Sequence, residues 1–162
     1  MPTATHDPAV EIPGDEFVDA LFARLDGQRR EALARAAGVT QTRERVAGFA
    51  RGWWEEFCQV LERKVEIWNA KADAAARVTC TRNASGPVML WHRSVEAELH
   101  LAEARVVMTG RVGETKPRDS PFIDFSEARG SVTAVLSDNR PKSPAEAADH
   151  VLGPLLTRAF EG

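Results

Sequence analysis

Three ionisable side chains alternate along one segment at a spacing that could hold a metal ion or transfer protons. Glu96, Glu98 and His100 lie at positions i, i+2 and i+4, and a β-strand would place all three on one face. Carboxylates and an imidazole on one face could coordinate a metal or carry acid–base chemistry. Because the apolar Ala97 and Leu99 lie between them, the row is also typical of a half-solvated antiparallel strand. We favour that interpretation, and the sequence predicts no metal site.

A single carboxylate lies among aromatic residues further along the chain. Asp124 falls between Phe122 and Phe125, and a carboxyl group on a partly apolar face could have a raised pKa and act as an acid or base. The alternative is a surface aspartate near a loop, which we favour. The sequence therefore predicts no catalytic residue.

Lys64 is the charged residue in the middle of a wide apolar arc on a long helical segment. A lysine buried among aromatic rings could bind an anionic ligand. The alternative is that its stem lies along the surface and its ammonium group reaches water. We predict a surface for a small apolar or anionic ligand, or for a protein partner, from these residues: Trp53, Phe57, Lys64, Trp68 and Trp91.

The segment 24–51 is rich in arginine. Its seven arginines and three acidic residues leave a net charge of +4, which could mark a nucleic-acid footprint. Aromatic residues are not interleaved with these arginines, however, and the whole chain has a net charge of −3. A solvated helical face is therefore favoured, and nucleic acid is not expected as a partner.

Motifs of known chemistry are missing from the sequence. It contains no GxGxxG, GxxxxGK[ST], HExxH or GxSxG motif and no paired-cysteine metal spacing. The cysteines, Cys58 and Cys80, are expected to be free thiols in a reducing cytosol. We expect no cofactor.

Length and composition bound the class of protein. The 162 residues suit one domain, and no apolar run approaches the roughly 20 residues that span a bilayer. Residues 1–14 hold three prolines and no apolar core, so we predict a flexible leader and not a signal peptide. Seventeen arginines against four lysines, with no tyrosine, indicate a GC-rich bacterial source, and we expect a cytoplasmic protein.

Helical periodicity dominates the first half of the chain. Asp15 is a candidate N-cap, and Gly27 and Gly38 are expected to interrupt or end the first two helical pieces. A long helix then follows over about 41–75, with apolar residues covering roughly 180° of its wheel. The apolar side chains of the first helix and the last helix are expected to cover part of this arc. Its two stripes are Trp54, Cys58, Leu61, Val65, Trp68, Ala72 and Ala75, and Val46, Phe49, Ala50, Trp53, Phe57, Val60 and Ile67.

The hydrophobic period then changes from about 3.6 to 2, which indicates β-strands. We predict five to six antiparallel strands over about 77–137, curving over the long helix, and a C-terminal helix over about 144–160. Ser143 and Glu146 form the capping box of that helix. Segregated helices and strands indicate an α+β fold, in a single domain over 15–162. This order resembles cystatin-like and helix-grip arrangements, without the initial strand of the latter, and such folds host many functions.

The wide apolar arc and the missing catalytic set favour a non-enzymatic protein-binding or assembly module, as a homodimer. One alternative is a small-molecule carrier or minor enzyme, with a pocket between long helix and sheet lined by Trp53, Phe57, Lys64 and Trp91. Another is nucleic-acid binding through the arginine-rich helices.

Overall fold

A computed structural model of the protein describes residues 15–84, 86–93, 95–112, 118–136, 140 and 142–162. The predicted leader over 1–14 and residues 113–117 lie outside these ranges. In chain order the elements are α1 (Asp15–Lys71), a 3₁₀ turn (Ala74–Ala76), β1 (Thr79–Arg82), β2 (Val88–His92), β3 (Val95–Ala102), β4 (Arg105–Val112), β5 (Arg118–Ala128), β6 (Ser131–Leu136) and α2 (Pro144–Glu161).

The predicted α+β class and order of elements are confirmed. The six strands form one antiparallel sheet in which each strand pairs with its neighbour in the chain, in the order β1 to β6. The hairpin between β5 and β6 turns through Arg129 and Gly130, which have φ angles of 52° and 77°. Pairing of Phe125 with Ala134 and of Ile123 with Leu136 fixes the register of this hairpin.

The predicted breaks in the N-terminal helices are wrong. Residues 15–71 form one helix of 57 residues, and neither Gly27 nor Gly38 has the positive φ of a C-cap. A glycine inside a helix costs about 1 kcal/mol relative to alanine, and the alanine, leucine, arginine and glutamate residues around both glycines are strong helix formers. The helix also ends at Lys71, earlier than the predicted residue 75, and a short 3₁₀ turn follows.

The chain divides into two compact units, residues 1–41 and residues 42–162. In the first unit the structure describes the helical segment 15–41, where Arg30 and Asp26 form an ion pair of 2.6 Å one turn apart. In the second unit lie the rest of α1, the sheet and α2. Every described side chain that is buried belongs to this second unit, from Val46 to Ala159.

Aromatic rings on α1 form the centre of the core in residues 42–162. Phe57 is fully buried, and its ring stacks on Trp53 and Trp54 at centroid distances of 5.2 and 5.6 Å. The Trp53 ring also meets the edge of Phe125 on β5 at 5.3 Å. Buried residues of α1, the sheet and α2, among them Leu152, belong to one hydrophobic cluster.

The connection from α1 to β1 is fixed by side chains that bind its backbone. The Asn69 amide donates to the Val78 carbonyl at 2.7 Å and accepts from the Val78 N–H at 2.9 Å. The Trp68 indole donates to the Ala76 carbonyl at 2.9 Å. The Nε2 atom of buried His92 lies 2.7 Å from the carbonyl oxygen of Ala75, so it carries the proton and donates. Each bond satisfies a backbone group that would otherwise be costly to bury.

The capping box predicted for the last helix is confirmed. Ser143 is the N-cap of α2, its hydroxyl accepts from the Glu146 N–H at 3.2 Å, and the Glu146 carboxylate accepts from the Ser143 N–H at 3.4 Å. The helix continues through Pro154 and places Asp149, Val151 and Leu152 where α1 can meet them.

Candidate functional site

The most distinctive surface of the protein is an apolar stripe on the segment 15–41 of α1. We call it the exposed stripe, and its side chains are 51–71% exposed. Four other large apolar side chains are exposed among the described residues, and these are scattered over 42–162. The exposed stripe consists of Phe17, Val18, Phe22, Leu25, Leu33 and Val39.

The helical period gathers the exposed stripe on one side. At 100° per residue, its six members fall within an arc of roughly 160°. Gly27 and Gly38 fall outside that arc, on the opposite side of the wheel, and a Cβ at either position would meet nothing within 4 Å. The glycines therefore do not interrupt the stripe, and they are not required by any close packing contact in the described structure.

The expectation that these apolar side chains cover the long helix is wrong. Phe17, Phe22 and Leu25 are exposed, and they belong to the long helix itself and not to a separate one. A soluble monomer rarely leaves such a concentration of large apolar side chains in water, and contiguous patches of this kind mark interaction sites. The helical spacing of these residues is visible in the sequence, but spacing alone does not show whether an apolar stripe is buried.

The five residues predicted to bind a ligand or partner do not meet in one site. Trp53 and Phe57 are buried in the core, where the Trp53 indole donates to the carbonyl of Lys142 at 3.3 Å. Trp68 is partly buried and its ring meets Phe160 at 6.3 Å. These three aromatic side chains therefore serve the packing of α1 against its neighbours.

Lys64 and Trp91, the other two predicted residues, lie apart from that core. The Lys64 ammonium group pairs with Asp149 on α2, and its side chain is about one third exposed. Trp91 is exposed and lies on the face of β2 opposite to the buried Val88 and Leu90. No described contact joins Lys64 to Trp91, and a binding role for either remains a prediction.

A cleft of about 470 Å³ opens between α1 and the end of the sheet. Arg82 lines it and donates two hydrogen bonds to Glu55; this bonding holds the pKa of the Glu55 carboxyl below its usual range and raises that of Arg82. Arg51 lines the cleft and is exposed. The complete lining is Arg51, Trp54, Glu55, Arg82, Asn83, Ala84, Gly86, Pro87, His100 and Leu101.

The row of acidic residues and histidine on β3 lies on the outer face of the strand. Glu96 is exposed, Glu98 and His100 are partly buried, and they alternate with buried Ala97 and Leu99. Among the described residues, no group of three or more histidine, cysteine, aspartate or glutamate side chains could hold a metal ion. This alternation is that of a half-solvated antiparallel strand, the interpretation favoured from the sequence.

Asp124 lies on the surface, as favoured from the sequence. It is opposite Arg105 in the pairing of β4 with β5, and the Arg105 Nε atom lies 3.5 Å from its carboxylate. Both side chains are more than half exposed, so water screens the pair and its contribution to stability is small.

Neither thiol has the environment of a nucleophile. Burial raises the pKa of Cys58 to about 12 and that of Cys80 to about 11, and both are free. Because the thiolate is the reactive form, both groups are almost fully protonated at neutral pH. They act as small apolar side chains between α1 and β1.

The arginines of segment 24–51 are spread along α1. Arg30 pairs with Asp26, and Arg45 pairs with Glu127 on β5 at 2.9 Å. Two of the seven are thus neutralised by carboxylates in the described structure, which weakens the case for a phosphate-binding face.

Comparisons of the chain with protein-family models, curated proteins and solved structures find no match. No helix within the described ranges is both long enough and apolar enough to cross a membrane. The function therefore has to be inferred from the chemistry of the described surfaces.

Proposed function

We propose that the protein is a non-enzymatic assembly module that forms a homodimer through the exposed stripe. The observation that supports it is the concentration of six large, exposed apolar side chains on one side of the segment 15–41. Free cysteines fit a reducing compartment, which supports the cytoplasm as the place of assembly.

The free energy of burial is large enough to drive such an association. Burying a large apolar side chain contributes about 1.5–3 kcal/mol, so the six side chains could contribute on the order of 10 kcal/mol per copy before the costs of association. Each of the two glycines lowers helix stability by about 1 kcal/mol relative to alanine, and most of the stability of a helix in a protein comes from packing of its apolar face. A partner against the stripe would therefore stabilise the helix as well as bury its apolar face.

The test introduces two negative charges into the exposed stripe. We expect light scattering at micromolar concentration to give twice the chain mass of 17.8 kDa for the wild type. The double variant Phe22→Glu/Leu25→Glu should give the monomer mass, because glutamate cannot be buried unpaired in an apolar contact.

The matched control is Ala20→Glu/Ala34→Glu. Both alanines are exposed on the same segment and lie on the side of the helical wheel opposite to the exposed stripe. Their substitution adds two negative charges, as the test variant does. This control should remain a dimer. A wild type that is monomeric throughout the micromolar range would refute the proposal.

The cleft beside Arg51 supports a second candidate function, the binding of a small anionic molecule. Glu55 pairs with Arg82, whereas Arg51 has no ion pair among the described residues and can offer its charge to a ligand. We expect pyrophosphate to shift the NMR signals of residues lining the cleft and Arg51→Gln to weaken that binding about tenfold or more. Arg63→Gln, an exposed arginine on the same helix outside this cleft, is the control. Unchanged spectra at millimolar pyrophosphate would remove this candidate.

A further inference from the structure

We infer that the two copies pair with their 15–41 helices antiparallel, so that the acidic end of each exposed stripe meets the basic half of the other. This inference rests on the proposed function and adds the orientation of the partner. Two observations support it: the uneven distribution of charge along residues 15–41, and the position of Arg29 among the apolar residues of the stripe.

Charge is distributed unevenly along the segment. Residues 15–27 contain four acidic residues and one arginine, a net charge of −3, whereas residues 28–41 contain three arginines and one glutamate, a net charge of +2. A parallel pair would place like charges beside each other along the whole contact. An antiparallel pair places opposite charges together at both ends, and such complementarity selects orientation.

The apolar seam has the spacing of two helices that pack along their length. Its positions alternate in steps of four and three residues, as in coiled coils. They are Val18, Phe22, Leu25, Arg29, Ala32, Ala36 and Val39.

Arg29 is the charged member of this seam, and it opposes the parallel arrangement. In a parallel pair in register, each seam residue faces its own copy, so two Arg29 guanidinium groups would meet. In the antiparallel pair Arg29 faces Leu25 or Ala32 of the other copy, where its apolar stem can lie along the seam and its charge can reach water. The single arginine thus acts as a polar residue that specifies orientation.

Distances between spin labels distinguish the two orientations. Glu16 and Gln28 are exposed, and each is changed to cysteine in a separate full-length variant and labelled at neutral pH. Cys58 and Cys80 should take up little label because burial raises their pKa values, and the labelled wild type checks this. Light scattering confirms that each labelled variant has the wild-type mass.

The antiparallel pair predicts a long distance at the first site and a short one at the second. At a rise of 1.5 Å per residue, the Glu16 positions lie about 33 Å apart along the axis when Arg29 faces Leu25 of the other copy. They lie about 44 Å apart when Arg29 faces Ala32. The Gln28 positions lie near the centre of the pair, and their labels should be within about 20 Å.

The alternative results separate this inference from the proposed function. A dimer with short distances at both sites is parallel, which overturns the inference and leaves the assembly module intact. A dimer with long distances at both sites meets through another surface, which overturns both the antiparallel pairing and the contact through the exposed stripe. A protein that remains monomeric refutes the proposed function and this pairing together.

Discussion

Replacing Phe57 with alanine is expected to lower the free energy of unfolding of residues 42–162 by about 3–5 kcal/mol. Phe57 is fully buried, and its ring contacts both Trp53 and Trp54. The substitution removes the buried ring and leaves a cavity between two rigid indoles that cannot easily close. Because small domains are stable by about 5–15 kcal/mol in total, this loss is a large fraction of the free energy of unfolding.

Urea titration followed by tryptophan fluorescence measures this loss, since Trp53 and Trp54 lie beside the cavity. The control is Phe160→Ala, which removes the same ring from a position that is 75% exposed and where the ring meets Trp68 edge-on. We expect it to cost less than about 1 kcal/mol. Equal losses in the two variants would mean that the stacked rings are not the centre of the core.

Removing residues 1–41 is expected to abolish self-association while leaving the remaining unit folded. All described buried side chains lie at Val46 or beyond, and the exposed stripe lies entirely within the deleted part. The fragment 42–162 should therefore scatter light as a monomer at every concentration at which the full chain is a dimer. Its circular dichroism should retain the signals of helix and sheet.

The thermal midpoint of the fragment should be compared with that of the full-length Phe22→Glu/Leu25→Glu variant. Dimerisation stabilises a folded protein by mass action, so comparison with the wild type would mix two effects. We expect the two monomers to unfold within a few degrees of each other. A fragment that forms dimers would place the contact outside the exposed stripe, and an unfolded fragment would show that residues 1–41 contribute to the core.

Much of the fold could be predicted because local chemistry specifies it. Ser143 and Glu146 are three residues apart, and their reciprocal bonds need nothing from the rest of the chain. The turn of β3 into β4 was less visible because it lacks glycine, proline and asparagine. Glu103 adopts a positive φ of 50° there, a conformation that costs energy for most residues and is maintained by the eight paired positions of the hairpin.

The candidate site was harder to predict because burial depends on partners that are distant in sequence. Spacing alone placed Trp53, Phe57 and Lys64 on one arc, but it could not show that Phe125 and Asp149 lie against that arc. Phe17, Phe22 and Leu25 also recur at helical spacing. A helix that ended at Gly27 or Gly38 could fold back against the long helix, whereas residues 15–71 form one continuous helix.

The hydrogen bonds of Asn69 to the segment between α1 and β1 also affect how many copies of the chain can associate. An exposed sheet edge is a template on which further chains can add without limit. Here the first edge strand has only four residues, and the Asn69 amide occupies the backbone of Val78 just before it. At the other edge of the sheet, the Lys142 N–H donates a hydrogen bond to the Ala134 carbonyl of β6. These features leave fewer backbone groups open to an added strand, and a two-fold contact through α1 would close at two copies.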